Sequence, residues 1–382
     1  METKSKHIKG RKNSNGGDNQ NESFDTDKET LLPGLPNDLG HLCLTSVSPT
    51  LLFSVCHAWR RVLYSHFLTP FYWLYVLLSP PPSSNANNSI EFFSLDPLSS
   101  TWHPLPHPPK NPPLHLLHRH PSFLSRNLPI QTLTVSDHLV LMAGTTYSFV
   151  PALSRPLLFH PETKTWFYGP PFTIPRRWCA TGSVGSTVYL ASGVGSHYNG
   201  DVARSMEKWE MKGETENWKW EKMAALKDGR FSREAVEAVG FKGKLCMVSV
   251  KGNAPKDGWV FDVMANQWEN MPTGMLAGWK GPAATMDEQV IYVVDEVKGT
   301  LNEYIDEKDC WQTVIESPEL KGAEQLVARR GKVCVVCRNG ERIVVVDVVA
   351  VPVARVWVVE PPSGQEVVAI HILPRMSKCV ED

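Results

Sequence analysis

An apolar strand end, a short polar turn and a tryptophan recur along this chain at a spacing that few folds can accommodate. Trp102, Trp166, Trp218 or Trp220, Trp268, Trp311 and Trp357 lie 43 to 64 residues apart. The stretches before three of them are alike: Leu95-Asp96-Pro97-Leu98-Ser99-Ser100-Thr101-Trp102, Phe159-His160-Pro161-Glu162-Thr163-Lys164-Thr165-Trp166, and Phe261-Asp262-Val263-Met264-Ala265-Asn266-Gln267-Trp268. Each reads as the end of one strand, a turn and the start of the next. Self-similarity at a period near 50 residues marks a repeat architecture, in which each unit buries its apolar faces only against its neighbours. Several short strands per period select a β-propeller blade.

The chain has 382 residues, enough for a large core, and a net charge of −1, too balanced for a general nucleic-acid binder. Nor does a membrane partner fit. The apolar run 71–78 is too short to span a bilayer, and 343–359 is interrupted by Asp347, Pro352 and Arg355 and reads as two buried strands. The N-terminus is polar and carries no secretory h-region, and eight cysteines are scattered without a disulfide framework. Reduced thiols in the nucleus or the cytoplasm are therefore expected.

Four regions follow from patterning. Residues 1–30 are polar, hold one aromatic and read as a disordered tail, since they cannot bury enough surface to offset ordering. Lys4, Lys6, Lys9, Arg11 and Lys12 in that tail are either a nuclear-import signal or a solvated face. Residues 31–68 show helical spacing: Leu39, Leu42 and Cys43, then Leu51, Leu52, Val55, Cys56 and Trp59, then Val62 and Leu63. Ser48 is a natural N-cap and Pro49 a natural first helical residue, so two helices part there. A unit this small cannot close its own core and should present apolar residues to a partner. Residues 69–375 are β-rich, with strand runs in six sets over 72–102, 132–166, 179–220, 234–268, 283–311 and 325–359. The run 366–373 is left over and the first set lacks an innermost strand, so the last strand is expected to close the ring. Residues 376–382 form a C-terminal tail. Gly144, Gly193 and Gly195 follow strands where positive φ is expected, and Asn339-Gly340 is a hairpin-turn signature.

The helical segment resembles an F-box, through Leu35-Pro36-x-Asp38 at its start, Leu51, and Val55-Cys56-His57-Ala58-Trp59-Arg60 near its end. The repeats resemble kelch repeats, with the paired glycines reduced to Ala143-Gly144 and Ser192-Gly193. Together they make the chain similar to plant F-box/kelch-repeat proteins. The run Cys43-Leu44-Thr45-Ser46-Val47-Ser48-Pro49 and the stretch 71–80 are especially similar to one Skp1-interacting type within them. The resemblance implies a mainly β chain: a six-bladed kelch-type propeller behind a small all-α F-box. It further implies a non-catalytic substrate receptor in a Skp1–cullin–F-box ubiquitin ligase. Leu35, Pro36, Leu39, Leu51, Val55, Cys56, Trp59 and Arg60 would bind the Skp1-type adaptor, and a cullin through it. The alternative is a kelch scaffold acting outside any ligase, with the helices as a dimerisation or docking element.

Little in the chain points to bond chemistry. Cys334 and Cys337 have metal-ligand spacing, but on one strand their sulfurs face opposite ways, so they read as core thiols. His115, His118 and His120 cluster in a Pro-rich connector without an adjacent acid. Gly193-Val194-Gly195-Ser196 lacks the Lys-Ser/Thr of a phosphate loop. No catalytic residue, metal or cofactor is expected. The client surface is expected on the propeller face shared by blade-to-blade connections and middle-strand loops. Arg119, Arg126, Arg176, Arg177, Trp178, Arg230, Phe231, Trp279 and Lys280 fall in the connections, and Tyr147, His197, Tyr198 and Lys251 in the loops. Arg176, Arg177, Trp178, Tyr198, Arg230, Phe231, Trp279 and Lys280 are the candidate client contacts, suited to a segment carrying carboxylates; the alternative for the arginines is packing in the junctions between blades.

Overall fold

The computed structural model describes residues 30–45, 47, 49–63, 72–80, 90–109, 130–146, 148–233, 236–249, 257–350 and 354–376. The basic cluster of the N-terminal tail, Ser48, His115, His118, Arg119, His120, Arg126, Tyr147, Lys251 and the C-terminal tail from 377 lie outside them. The chain divides into two compact units, Met1–Thr69 and Pro70–Asp382.

Among the described residues of the first unit three helices form rather than two: α1 (Asn37–Thr45), α2 (Pro49–Val55) and α3 (His57–Leu63), with a break at Cys56. Leu44, Leu52, Val62 and Leu63 are buried.

The second unit is a ring of six four-stranded antiparallel sheets. The first combines β1 (Tyr72–Ser79), β2 (Glu91–Asp96) and β3 (Thr101–Pro104) with a strand from the far end of the chain. The second is β4 (Ile130–Val135), β5 (His138–Gly144), β6 (Leu157–His160) and β7 (Thr165–Tyr168). The third is β8 (Ala180–Val184), β9 (Thr187–Ala191), β10 (Met206–Glu210) and the short β11 (Glu221–Lys222). The fourth is β12 (Val236–Phe241), β13 (Lys244–Ser249), β14 (Gly258–Asp262) and β15 (Gln267–Asn270). The fifth is β16 (Ala283–Met286), β17 (Val290–Asp295), β18 (Thr300–Ile305) and β19 (Cys310–Glu316). The sixth is β20 (Ala323–Arg329), β21 (Lys332–Cys337), β22 (Arg342–Asp347) and β23 (Arg355–Val359). The leftover strand β24 (Glu366–Pro374) pairs antiparallel with β1, from Tyr72↔Pro374 to Ser79↔Glu366, and closes the ring as the innermost strand of the first blade.

Middle strands are apolar almost throughout because both their faces are covered by neighbouring blades; β1, for instance, is buried from Trp73 to Ser79. The core is accordingly distributed over the seams between blades. Cys334 belongs to the seam with the first blade and Cys337 to the seam with the fifth, so the two sulfurs do face opposite ways. Burial pushes both thiols up to about 12, as expected of core groups.

The recurrent sequence motif builds a turn and a rivet. Asp96 Oδ1 accepts from Leu98 N, Asp262 Oδ1 from Met264 N and Ala265 N, and His160 Nδ1 from Thr163 N. The residue two before the tryptophan is left-handed in four blades: Ser100 (φ 54°), Lys164 (55°), Asn266 (51°) and Asp309 (46°). The tryptophan then pairs with the strand end before the turn, as in Leu95↔Trp102, Phe159↔Trp166, Phe261↔Trp268 and Tyr304↔Trp311. Its indole N–H donates to a carbonyl just beyond the outer strand of the preceding blade. Trp166 reaches Pro106 O at 2.7 Å, Trp220 Pro170 O at 3.1 Å, Trp268 Ala224 O at 2.9 Å, Trp311 Gly274 O at 3.1 Å and Trp102 Glu360 O at 3.2 Å. Gly278 has to be glycine for this contact in the fifth blade, since a Cβ there would lie 1.9 Å from Trp311 Cδ1.

Trp357 departs from the pattern. It follows Asp347 by ten residues, where Trp102, Trp166 and Trp268 follow their Asp or His by six. It pairs with Val345, which faces the next blade instead of the preceding one, and it stays 43% exposed.

Side chains fasten the closing strand on both sides. His371 is hydrogen-bonded through Nδ1 to Thr134 Oγ1 (3.0 Å) and through Nε2 to Thr132 Oγ1 (2.9 Å) of the second blade. From the sixth blade, Gln325 Nε2 donates to Val368 O (2.7 Å) and Arg329 Nη1 to Ile372 O (3.3 Å). A central cavity of about 390 Å³ is lined by the innermost strands, including Gln131, Glu237, Glu324 and His371.

Two expectations about glycine are corrected. Gly193 has a positive φ (100°), but Gly144 continues β5, and neither it nor Gly195 is left-handed. The Asn339-Gly340 turn is present, with φ of 58° and 88°. Two short helices were not anticipated: α4 (Gly200–Arg204), capped by Asn199 Oδ1, and α5 (Thr273–Gly278), whose Gly274 and Met275 N–H groups donate to the Asp309 carboxylate at 2.8 Å each.

Candidate functional site

The helical unit turns part of its apolar set outward. Leu35, Leu39, Leu42, Leu51 and Val55 are between 38% and 67% exposed, and Pro36 and Cys56 are exposed as well. Leu39 and Leu42 follow i, i+3 spacing on α1, and Leu51 and Val55 follow i, i+4 on α2, so each pair lies on one side of its helix, while Leu35 stands in the segment leading into α1. Such a concentration of exposed leucine in a small unit marks a docking surface. Trp59 and Arg60 are placed differently. Trp59 is half-buried and its indole N–H donates to Leu31 O at 2.8 Å, while Leu31 N donates to Asn37 Oδ1 at 3.1 Å. The Arg60 guanidinium lies 4.6 Å over the Phe53 ring and its Nε donates to Phe53 O. Both side chains thus hold the leading segment and α2 in place behind the exposed stripe. Leu42 is missing from the motif-derived set, although its spacing from Leu39 is the signal that finds it.

On the propeller, three of the candidate client residues prove to be seam residues. Phe231 and Trp279 are fully buried. Arg176 is buried too. Its Nη2 lies 2.8 Å from Glu207 Oε2, and its Nη1 donates to Ser205 Oγ (2.6 Å) and Ser192 O (3.2 Å). The physical reason is common to all three: a connection between blades crosses the seam, and its larger side chains fill the space there. Arg230 sits in the 3-10 turn Arg230–Arg233, and its side chain is outside the described residues. Lys280 and Tyr198 are exposed and Trp178 is half-buried. The structure adds Phe149 and Val150, in the β5–β6 loop, and Ile174, in the β7–β8 connection, all exposed on the face that carries Tyr198. Arg177, beside Trp178, is 7% exposed and carries a charge into this region.

The helical unit thus carries an outward leucine stripe, and the closed repeat ring a loop face with exposed apolar side chains. No protein-family model matches the chain. It is 47% identical over 363 residues to the F-box/kelch-repeat protein SKIP25 of Arabidopsis thaliana, covering 92% of this chain and 91% of that protein. This chain belongs to the F-box/kelch-repeat proteins. Its fold and this membership support an F-box substrate-adaptor kind of role.

Proposed function

We propose that this protein is the substrate-recognition subunit of a Skp1–cullin–F-box ubiquitin ligase. The helical unit docks a Skp1-type adaptor through Leu35, Pro36, Leu39, Leu51, Val55 and Cys56, with Trp59 and Arg60 holding that surface in shape. A cullin is reached through the adaptor, and the propeller face holds a protein client. The observation that carries this reading is the set of five large apolar side chains standing in solvent on the helical unit. Burying a leucine or valine of this kind is worth about 1.5–3 kcal/mol, so a partner that covers the set gains most of a stable complex from it. The name of the Arabidopsis relative, a Skp1-interacting partner, supports the same adaptor. The chain then performs no bond chemistry. It raises the effective concentration of client lysines near a charged ubiquitin carrier. Such a role belongs in the nucleus or the cytoplasm.

The test is capture of the full chain by an immobilised, purified Skp1-type adaptor, comparing wild type with Leu35→Ala/Pro36→Ala. Retention of the wild type and its loss in the folded double variant is the expected result. A folded wild type that the adaptor does not retain would put the scaffold reading first, with the leucine stripe serving self-association.

A further inference from the structure

Arg177 sits in the β7–β8 connection beside an arginine that is fully used. Its backbone is tied to Val194 in both directions, N–H to O at 2.9 Å each way. Its side chain is buried, yet Nε and Nη1 meet no acceptor, in contrast to Arg176, whose side chain donates to four. The face of Trp178 covers it, with the guanidinium carbon 3.7 Å from the ring centroid. Trp178 pays for that position with φ of 55°, a left-handed conformation that bulky residues avoid. Two unpaired donors of a buried cation and a strained aromatic lid together leave the resting arrangement poorly satisfied.

The surroundings are built to hold this pair in place. Gly193, at φ of 100°, lies where a Cβ would be 2.9 Å from Cys179 Cβ and 3.0 Å from Arg177 O. The glycine turn noted in the sequence therefore serves to let the β9–β10 loop lie on the connection that carries Arg177. The Phe172 N–H donates to Ser154 O, so the same connection runs along the loop bearing Phe149 and Val150. Ile174 Cγ2 lies 3.7 Å from the Cβ position of Gly195, against the loop bearing Tyr198. The result is a buried guanidinium under Trp178, on a connection that also carries the exposed Ile174 and runs beside the loops bearing Phe149, Val150 and Tyr198. Because Glu207 neutralises Arg176, the pair offers a single positive charge, which matches a carboxylate better than a phosphate dianion.

We infer that Arg177 and Trp178 are a gated anchor for an Asp or Glu side chain of the client, flanked there by apolar residues. On binding, the Trp178 ring swings aside and the carboxylate pairs with one forked edge of the guanidinium, each edge including one of the buried donors. The apolar flanks of the client segment cover Phe149, Ile174 and Tyr198. This deepens the receptor reading and rests on it.

The probe is an array of N-acetylated, C-amidated nonapeptides of varied sequence, offered to the full chain. Wild type is expected to retain peptides with Asp or Glu next to an apolar residue, and to lose them about 30-fold or more when that acid is changed to its amide. Arg177→Gln should lose them equally and Arg177→Lys partly. Tryptophan emission should change on binding in wild type and not in Trp178→Phe. The acid-to-amide comparison uses wild-type protein, so it stands even where a variant folds poorly. Retained peptides without acid preference, or binding through Tyr198 that Arg177→Gln leaves intact, would overturn the anchor and spare the receptor reading. A folded wild type that retains no peptide would overturn the anchor, while the receptor reading stands or falls with capture by the Skp1-type adaptor.

Discussion

At the outer edge of five blades a single indole N–H joins one blade to the one before it. In Trp166 that bond is to Pro106 O, with the ring packed on Phe92 at 4.7 Å and Phe159 at 5.0 Å. Replacing it with phenylalanine keeps most of the packing and leaves a carbonyl unpaired, a loss of about 1–2 kcal/mol by urea unfolding. Trp357→Phe, by contrast, should fall within about 0.5 kcal/mol, because that indole bonds to nothing among the described residues. His371 is a second residue-scale device. Burial pushes its imidazole down to about 3, so it stays neutral where an unfolded histidine, near 6.5, takes a proton. Its contribution is complete above pH 6.5 and is lost as pH falls toward 3. Melting temperature measured across that range should drop more steeply in wild type than in His371→Asn. The tryptophan repeat was legible because turn and rivet both depend on local residue order. The misreading of Arg176, Phe231 and Trp279 as surface groups had an equally physical source. A residue in a connection can point across a seam or out to solvent, and nothing in its neighbours along the chain distinguishes the two.

Elements set how these residues act together. The connection between the second and third blades is pinned by the Arg176–Glu207 pair at 2.8 Å, with both side chains almost fully buried. Breaking it from one side, as Arg176→Met, should cost about 3–5 kcal/mol in chemical unfolding, whereas Arg176→Met with Glu207→Leu should recover much of the loss. In the helical unit, periodicity alone exposed the stripe, since leucines that recur with helical spacing and find no room inside must lie outside. The break at Cys56, which turns one expected helix into two, had no breaker residue to announce it. Leu42 belongs to the stripe although no motif names it. Leu42→Asp should therefore weaken adaptor binding about tenfold or more in a titration, while leaving the melting of the propeller unchanged.

For the whole molecule the decisive step is closure. Contacts between the first and last strands of the ring span nearly 300 residues, as in Tyr75 Oη to Pro374 O at 2.7 Å. The surplus strand at 366–373 and the missing innermost strand of the first blade already required this in the sequence, because an open ring would leave two bare sheet edges. Removal of residues 366–382 should abolish the cooperative thermal transition of the propeller, measured by calorimetry, more completely than any point substitution. What the sequence could not reveal is which parts of the loop face are occupied internally, because that depends on how six separately coded blades meet. The central claim is that one chain carries an adaptor-docking helical unit and an independent client-holding ring. Calorimetric titration of the full chain with a purified Skp1-type adaptor, wild type against Leu39→Asp/Val55→Asp, tests it most directly. One-to-one binding by wild type, lost in the variant with propeller melting unchanged, is the predicted result; equal binding by both, or none by a folded wild type, would contradict it.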